Sequence, residues 1–351
     1  MPYKYFYVIV YLTSGAKRLT KQDDLCIESG NISKFIGGIK MKLKKIHVGL
    51  AVLLVVTFLM GCGNSKENDT KEDNSSTTSE YEVALIIDAV SGAIDDRSFT
   101  QGAWEGIEKF AEQYGKTAQY YRSTEDSTDG YLNAIQMAVD NGATAVVCPG
   151  YSYEAAIFQA QDKCPDVYFI LLDGTPQNGD YTEYKTADNT YSVVFAEEQA
   201  GYLAGYAVVK DGETKLGFMG GMAVPAVVRF GYGFVQGAQA AAEEMGLNEG
   251  DIQMKFGYTG NFEATPENQT KAASWYEAGT DVIFSCGGLI LNSVTAAAEA
   301  DGSGKVIGVD VDQQGESETV ITSAMKMLSD TVYNALDAKE KGRFPEVKMI
   351  V

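Results

Sequence analysis

Histidine is almost missing from this chain of 351 residues: only His47 carries an imidazole. It falls in a stretch read below as a removable leader, so the mature protein has none. That excludes the commonest general base, every Ser-His-Asp or Cys-His arrangement and the usual His-containing zinc sites. Cysteine is scarce as well. Of Cys26, Cys62, Cys148, Cys164 and Cys286, only the last three lie in the region expected to fold. Their odd number and lack of motif spacing exclude a disulfide framework or a metal cluster. Cys148 in AVVCPG and Cys286 in VIFSCGG read as buried strand-end residues. Glycine is plentiful at 37, but FMGGM (Phe218 to Met222) and SCGG (Ser285 to Gly288) fit neither a dinucleotide fingerprint nor a Walker loop. Positive charge is lacking too. The net charge is −20, and from Cys62 onward 19 basic residues face 45 acidic ones, a net −26. A nucleic-acid backbone would be repelled by that field.

Long apolar runs are also absent, save one near Val48 to Met60. It is short of the roughly 20 residues a membrane-spanning helix needs. Met41, Lys42, Lys44 and Lys45 precede it and Leu59, Met60, Gly61 and Cys62 end it, which is the pattern of a lipoprotein signal peptide over residues 41–61. The expectation is a lipid anchor on Cys62 and a protein held at the extracytoplasmic face of the cell membrane. Residues 1–40 hold no periodic apolar segment of useful length and read as an extended or mis-assigned start. Residues 62–80, GNSKENDTKEDNSSTTSE after the cysteine, are almost wholly polar and predict a disordered tether.

From Tyr81 the pattern changes to short apolar runs alternating with amphipathic stretches. VALIID (Val83 to Asp88) precedes a helical stretch from Ser98 to Tyr114, and the step repeats at TAQYY, TAVVC and VYFILLD. A second series follows the polar segment Gly174 to Thr190, with strands KLGFMGG, IQMKFGY, DVIFSCGG and KVIGVDVD between helical stretches. Strand–helix alternation of this kind makes parallel sheets covered by helices. The expected fold is α/β with two lobes: residues 81–190, residues 191–320, and a return to the first lobe over 321–351.

Ligands of open parallel sheets bind beyond the carboxyl ends of the strands. Asp88, Gly150, Asp173, Gly220, Gly287 and Asp310 end the apolar runs and so point to a cleft between the lobes. The acidic pairs Asp95–Asp96 and Asp310–Asp312 could serve acid–base work or a hard cation, but side chains of this kind in so acidic a chain are more often solvated. No catalysis, metal or cofactor is expected.

The run DAVSGAIDDRSFTQGAWEG (Asp88 to Gly106) resembles the opening motif of the basic membrane protein family, lipoproteins that include purine nucleoside receptors. EEQAGYLAGY, LGFMGG, VVRFGYGFVQGAQ, AGTDVIFSCGG, VIGVDVDQ and VITSAMK follow in the family's order. The resemblance covers the chain from about residue 82 to its end. It implies a type I periplasmic-binding fold, a nucleoside held in the interlobe cleft and delivery to an ABC permease by a monomer that closes about a hinge. Phe99 and Phe230 are the candidate stacking rings, since every nucleobase offers a π-face. Asp310 and Asp88 are candidate acceptors for ribose hydroxyls. Lys326 is the candidate donor, and Gly287 and Gly288 would let backbone approach the ligand.

Two departures stand out. Thr100 occupies the place of the family's asparagine, offering one hydroxyl for an amide's donor and acceptor. SYEAA after Gly150 lacks the family's acidic placement, leaving Glu154 outside the expected site. The chain also stops at EVKMIV where relatives continue, which would leave a sheet edge of the first lobe unpaired. Alternatives in view are a sugar or other small polar ligand, a ligand-sensing lipoprotein and, third, a metal-dependent nucleoside hydrolase.

Overall fold

The computed structural model describes residues 8–11, 81–89, 93–248 and 250–343. The segments read as a signal peptide and a tether, with the expected lipidation site Cys62, lie outside the described residues, as do residues 344–351. All described residues belong to one compact unit.

A four-residue strand, β1 (Val8–Tyr11), comes from the segment read as an extended start. The first lobe then runs β2 (Val83–Ile87), α1 (Phe99–Tyr114), β3 (Ala118–Arg122), α2 (Thr128–Asp140), β4 (Ala145–Pro149), α3 (Glu154–Lys163), β5 (Tyr168–Leu172) and β6 (Thr190–Val193). The second runs α4 (Glu197–Lys210), β7 (Lys215–Gly220), α5 (Pro225–Met245), β8 (Gln253–Tyr258), α6 (Pro266–Glu277), β9 (Val282–Cys286), α7 (Ile290–Asp301), β10 (Lys305–Asp310) and β11 (Val320–Met325). Helix α8 (Leu328–Glu340) returns to the first lobe, where Leu328, Val332, Ala335 and Leu336 join its core.

The first sheet has the order β3-β2-β4-β5-β6 and is parallel throughout. The second has the order β1-β8-β7-β9-β10-β11, parallel except that β1 lies antiparallel on the edge strand β8. Both sheets are covered on two faces, which is why β2 and β9 are buried at every position rather than at alternate ones. Helices α1 and α8 pack on one face of the first sheet, α2 and α3 on the other. In the second lobe α4 and α5 cover one face, α6 and α7 the other.

Local chemistry fixes the helix starts. Ser127 accepts from Gly130 N at 3.0 Å to cap α2, and Thr265 accepts from Asn268 N at 3.1 Å to cap α6. Proline stands in the first turn of both α5 and α6, where its missing N–H costs nothing. The closest helix pair is α4 on α5. A methyl group at Gly233 or Gly237 would come within 2.0 or 1.9 Å of the carbonyl oxygens of Glu198 and Tyr202, so only glycine permits this approach.

Two lobe boundaries move from their sequence-based positions. Strand β6 belongs to the first sheet, so the first crossing follows Val193 rather than residue 190. Strand β11 pairs with β10 in the second sheet, so the return begins at Lys326 rather than 321. Neither strand is a continuous apolar run. TYSV interrupts its hydrophobics with Ser192, and VITSAM alternates buried and open positions.

Candidate functional site

The carboxyl ends of both sheets converge on a cleft with about 1020 Å³ of atom-free space, its mouth included. Of the six strand-end residues singled out from sequence, Asp88, Gly150, Asp173, Gly287 and Asp310 line it. Gly220 does not; it is packed beneath Val227 and Tyr258.

Helix α1 points its N-terminus at the cleft, and its cap is divided between two residues. Asp96 accepts from the backbone N–H of Ser98 at 2.9 Å, Thr100 at 2.8 Å and Gln101 at 3.0 Å, satisfying three donors that a helix start leaves open. Burial raises the Asp96 carboxyl above the usual range, and these three hydrogen bonds only partly offset it. Ser98 at the cap position is thereby released, and its hydroxyl donates across the lobes to Asp310 Oδ2 at 2.6 Å. Phe99 follows as the first helical residue, half-buried at the cleft wall, and Thr100 lies behind it. Of the two acidic pairs expected to be solvated, Asp96 and Asp310 are only 6% and 5% exposed, because each is committed to these bonds. Among the described residues no group of acidic, cysteine or histidine side chains is arranged to hold a metal.

Lys326 stands where the chain leaves β11 for α8, with its side chain 4% exposed. Its Nζ lies 2.5 Å from Asp173 Oδ2, 3.2 Å from Glu197 Oε1 and 3.6 Å from Asp310 Oδ1. It also sits 4.6 Å from the ring centre of Phe99 and 5.4 Å from that of Phe230. Burial works against the ammonium, but three carboxylates outweigh it and hold the proton more tightly than on an ordinary lysine. Asp173 and Asp310 end a strand in each lobe, and both take left-handed backbone angles, φ 56° and 70°. Such angles are uncommon outside glycine, though aspartate tolerates them, and here they turn both carboxylates toward one ammonium. Glu197, wholly buried in the first turn of α4, also receives Arg229 Nε at 2.5 Å. Burial alone would raise its carboxyl; Lys326 and Arg229 together hold it below the usual range.

The candidate residues Asp88, Phe99, Thr100, Phe230, Gly287, Gly288, Asp310 and Lys326 thus all border one cleft. Phe230 borders the cleft but is 1% exposed, and its ring stands nearly perpendicular to that of Phe284, with centres 5.9 Å apart. It packs into the core of the second lobe on one buried stripe with Val227 and Phe234, while Lys326 Nζ lies 5.4 Å from its ring centre. A more open ring of the second lobe is Phe262, half-buried in the loop after β8 and lining the cleft. It lies on Gly221 and Gly287, where added methyl groups would come within 2.3 and 2.6 Å of it. Gly287, at φ 142°, is doubly required there. A lone phenylalanine in the polar turn GYTGNFEATP was the available signal.

Sequence reading also missed Asp126 and Tyr151 on the first lobe's wall. Asp126 accepts from the Tyr131 hydroxyl. Burial, then the neighbouring Asp88, raise its carboxyl. Glu154 is committed elsewhere, accepting from Thr175 N at 2.9 Å and Gln177 Nε2 at 3.3 Å. Cys148 and Cys286 are buried at strand ends as expected, with burial raising both thiols.

Residues 83–351 match the family model for PnrA-like ABC transporter substrate-binding proteins. The ABC transporter nucleoside-binding protein BmpA of Lactococcus lactis is 29% identical over 327 residues, 87% of each chain. Basic membrane protein B of Borreliella burgdorferi is 29% identical over 263 residues, 74% of this chain and 73% of that protein. Among solved structures, a solute-binding protein of an ABC transporter system from Aeropyrum pernix superposes with a TM-score of 0.66 at 24% identity, over 77% of this chain and 74% of that one. A LacI family transcriptional regulator from Enterococcus faecium with bound ribose does so at 0.54 and 16% identity, over 76% and 92%. These likenesses show a type I periplasmic-binding fold.

Proposed function

The chain belongs to the PnrA-like family of ABC transporter substrate-binding proteins, and from that premise we propose that its cleft captures a nucleoside for an ABC permease. The family is extracytoplasmic, and its members work with a small ligand and a permease. The observation that carries the nucleoside reading is a pair of open rings, Phe99 from the first lobe and Phe262 from the second, lining the same cleft as Asp173, Asp310 and Lys326. Rings suit the two faces of a base, at roughly 1–3 kcal/mol per stacked contact. Carboxylates and an ammonium suit ribose hydroxyls, which both donate and accept.

The chain crosses between lobes at 194–196 and again at Lys326, so that lysine sits at a crossing as well as in the cleft. Ligand that bridges Phe99 and Phe262 stabilises the closed arrangement, which the permease then receives. The protein returns its ligand unchanged. We place the lipid on Cys62, the folded body just outside the membrane, and the working form as a monomer. Among the described residues no helix is long and apolar enough to cross a membrane.

A sugar-binding reading uses the same carboxylates but leaves both rings and the apolar second wall without a partner. A thermal-shift screen separates the two. Ligand at about 100 times its dissociation constant adds about 2.7 kcal/mol to stability. Guanosine, inosine or adenosine should raise the melting temperature and ribose should not; a shift with ribose alone sinks the nucleoside reading.

A further inference from the structure

Two carboxylates against Lys326, Asp173 in the cleft lining and Glu197 beside it, each have an oxygen without a hydrogen-bond donor. Asp173 Oδ1 is buried and unpartnered on a side chain 7% exposed, while Oδ2 receives Lys326. Glu197 Oε1 lies 3.2 Å from the same ammonium yet accepts no hydrogen bond in good geometry, on a side chain with no exposure. Both carboxyl groups therefore meet at one ammonium, 2.5 and 3.2 Å from Lys326 Nζ. Two buried carboxylates crowded on one ammonium, each with an oxygen left without a donor, are unfavourable unless a proton joins them.

The surrounding charges point the same way. Lys326 and Arg229 supply two cations, against the three carboxylates of Asp173, Glu197 and Asp310. One added proton balances the charges of these five groups, which a largely buried site favours. Glu198, next to Glu197 on α4, also acts on Arg229 of α5, and the Cys286 thiol faces the set from the end of β9, its proton held on by burial. Asp96, across the cleft, is engaged with its three backbone donors. Neither Asp96 nor Cys286 supplies the missing donor.

We propose that Asp173 and Glu197 hold one proton between them in the empty cleft, and that a ligand hydroxyl donating to Asp173 expels it. Capture of ligand then releases one proton to solvent and weakens in acid. The shared proton rests on the cluster of carboxylates around Lys326; its displacement rests on the nucleoside reading above. The balance is simple: the carboxyl O–H bond breaks, its proton goes to buffer, and a ligand O–H takes over as donor to the carboxylate. A charge-assisted O–H···O⁻ bond beside Lys326 favours the exchange.

Two measurements test this. Infrared spectra of the empty protein near neutral pH should contain the carbonyl stretch of a buried protonated carboxyl, missing from the D173N variant. Absence of that band in the native protein overturns the shared proton. Calorimetric titration with guanosine, in phosphate and in Tris between about pH 6 and 8.5, counts protons released per ligand bound. The heat should depend on the buffer, and the dissociation constant should rise about tenfold per pH unit once the empty site is fully protonated. In E197Q the amide donates to Asp173 in place of the proton, so the buffer dependence should vanish, as it should in D173N. Binding with equal affinity and buffer-independent heat across that range overturns the displacement. No binding of any nucleoside sinks the nucleoside reading instead and leaves the infrared band to decide on the proton.

Discussion

The two walls of the cleft differ in kind. The first lobe presents Asp88, Asp96, Asp126 and Asp173, with Thr100, Tyr151 and Ser152 between them and Phe99 as its open ring. The second presents Met222, Val224, Val227, Phe262 and Leu289 with glycine backbone, and Asp310 is its one carboxylate in the lining. One wall therefore accepts hydrogen bonds and the other covers apolar surface. A ligand that suits both has a flat apolar body and an edge rich in donors, and carries no negative charge to meet four aspartates. The only cation among the described lining residues, Lys326, is already held by carboxylates from both lobes.

The sharpest way to break this division is to remove that cation. In Lys326→Met three buried carboxylates lose their counter-ion, and breaking a buried ion set of this kind costs about 3–5 kcal/mol. Urea unfolding should record that loss, and nucleoside binding should disappear with it. The two phenylalanines that the second lobe brings to the cleft lining separate packing from recognition. Phe230→Ala should cost stability by about 3–5 kcal/mol, as for a core aromatic. Phe262→Ala should leave the denaturation midpoint nearly unchanged and weaken ligand binding by about 1–3 kcal/mol. If the two results are exchanged, the assignment of the open ring is wrong.

The acidic wall can be sharpened through pH. Burial, only partly countered by Lys326, raises the Asp173 carboxyl from 3.8 to about 7. The folded protein therefore binds more protons there than the unfolded chain between those values, and this contribution to stability is lost as pH rises through the folded value. Melting temperature of the empty protein should fall over that window, and Asp173→Asn should flatten the fall. Ligand should oppose it, because capture favours the ionised carboxylate. The smallest effect is expected far from either wall. Lys109 and Asp330 pair at 3.0 Å between α1 and α8 with side chains 53% and 47% exposed. Lys109→Ala should change the melting free energy by about 0–1 kcal/mol and leave binding untouched.

Most strands were legible because each is a short apolar run between turn residues, as in VALII, YFILL and VIFSC. The cleft was legible through the rule that parallel strands end at the ligand, which placed Asp88, Asp173 and Asp310 correctly although Asp173 had no assigned role. Phe230 reached the cleft lining but its burial could not be read, because its sequence context names the helix and not the depth. A buried stripe and a ligand wall look alike at a spacing of three and four. Phe262 escaped because loop residues carry no periodicity. Glu197 and Arg229 lie 32 positions apart and meet only because four glycines let α4 and α5 touch.

By itself the sequence determined the scarcity of histidine, the acidic balance, the alternation of strand and helix and the two-lobed α/β class, since each follows from composition or from local period. The tertiary structure alone decided which carboxylates share Lys326, which phenylalanine stays open and where the chain crosses between lobes. Those facts depend on contacts between residues distant in the chain, with Asp173 and Lys326 153 positions apart, and burial that turns an ordinary aspartate into a proton-binding group exists only once both lobes are folded around it.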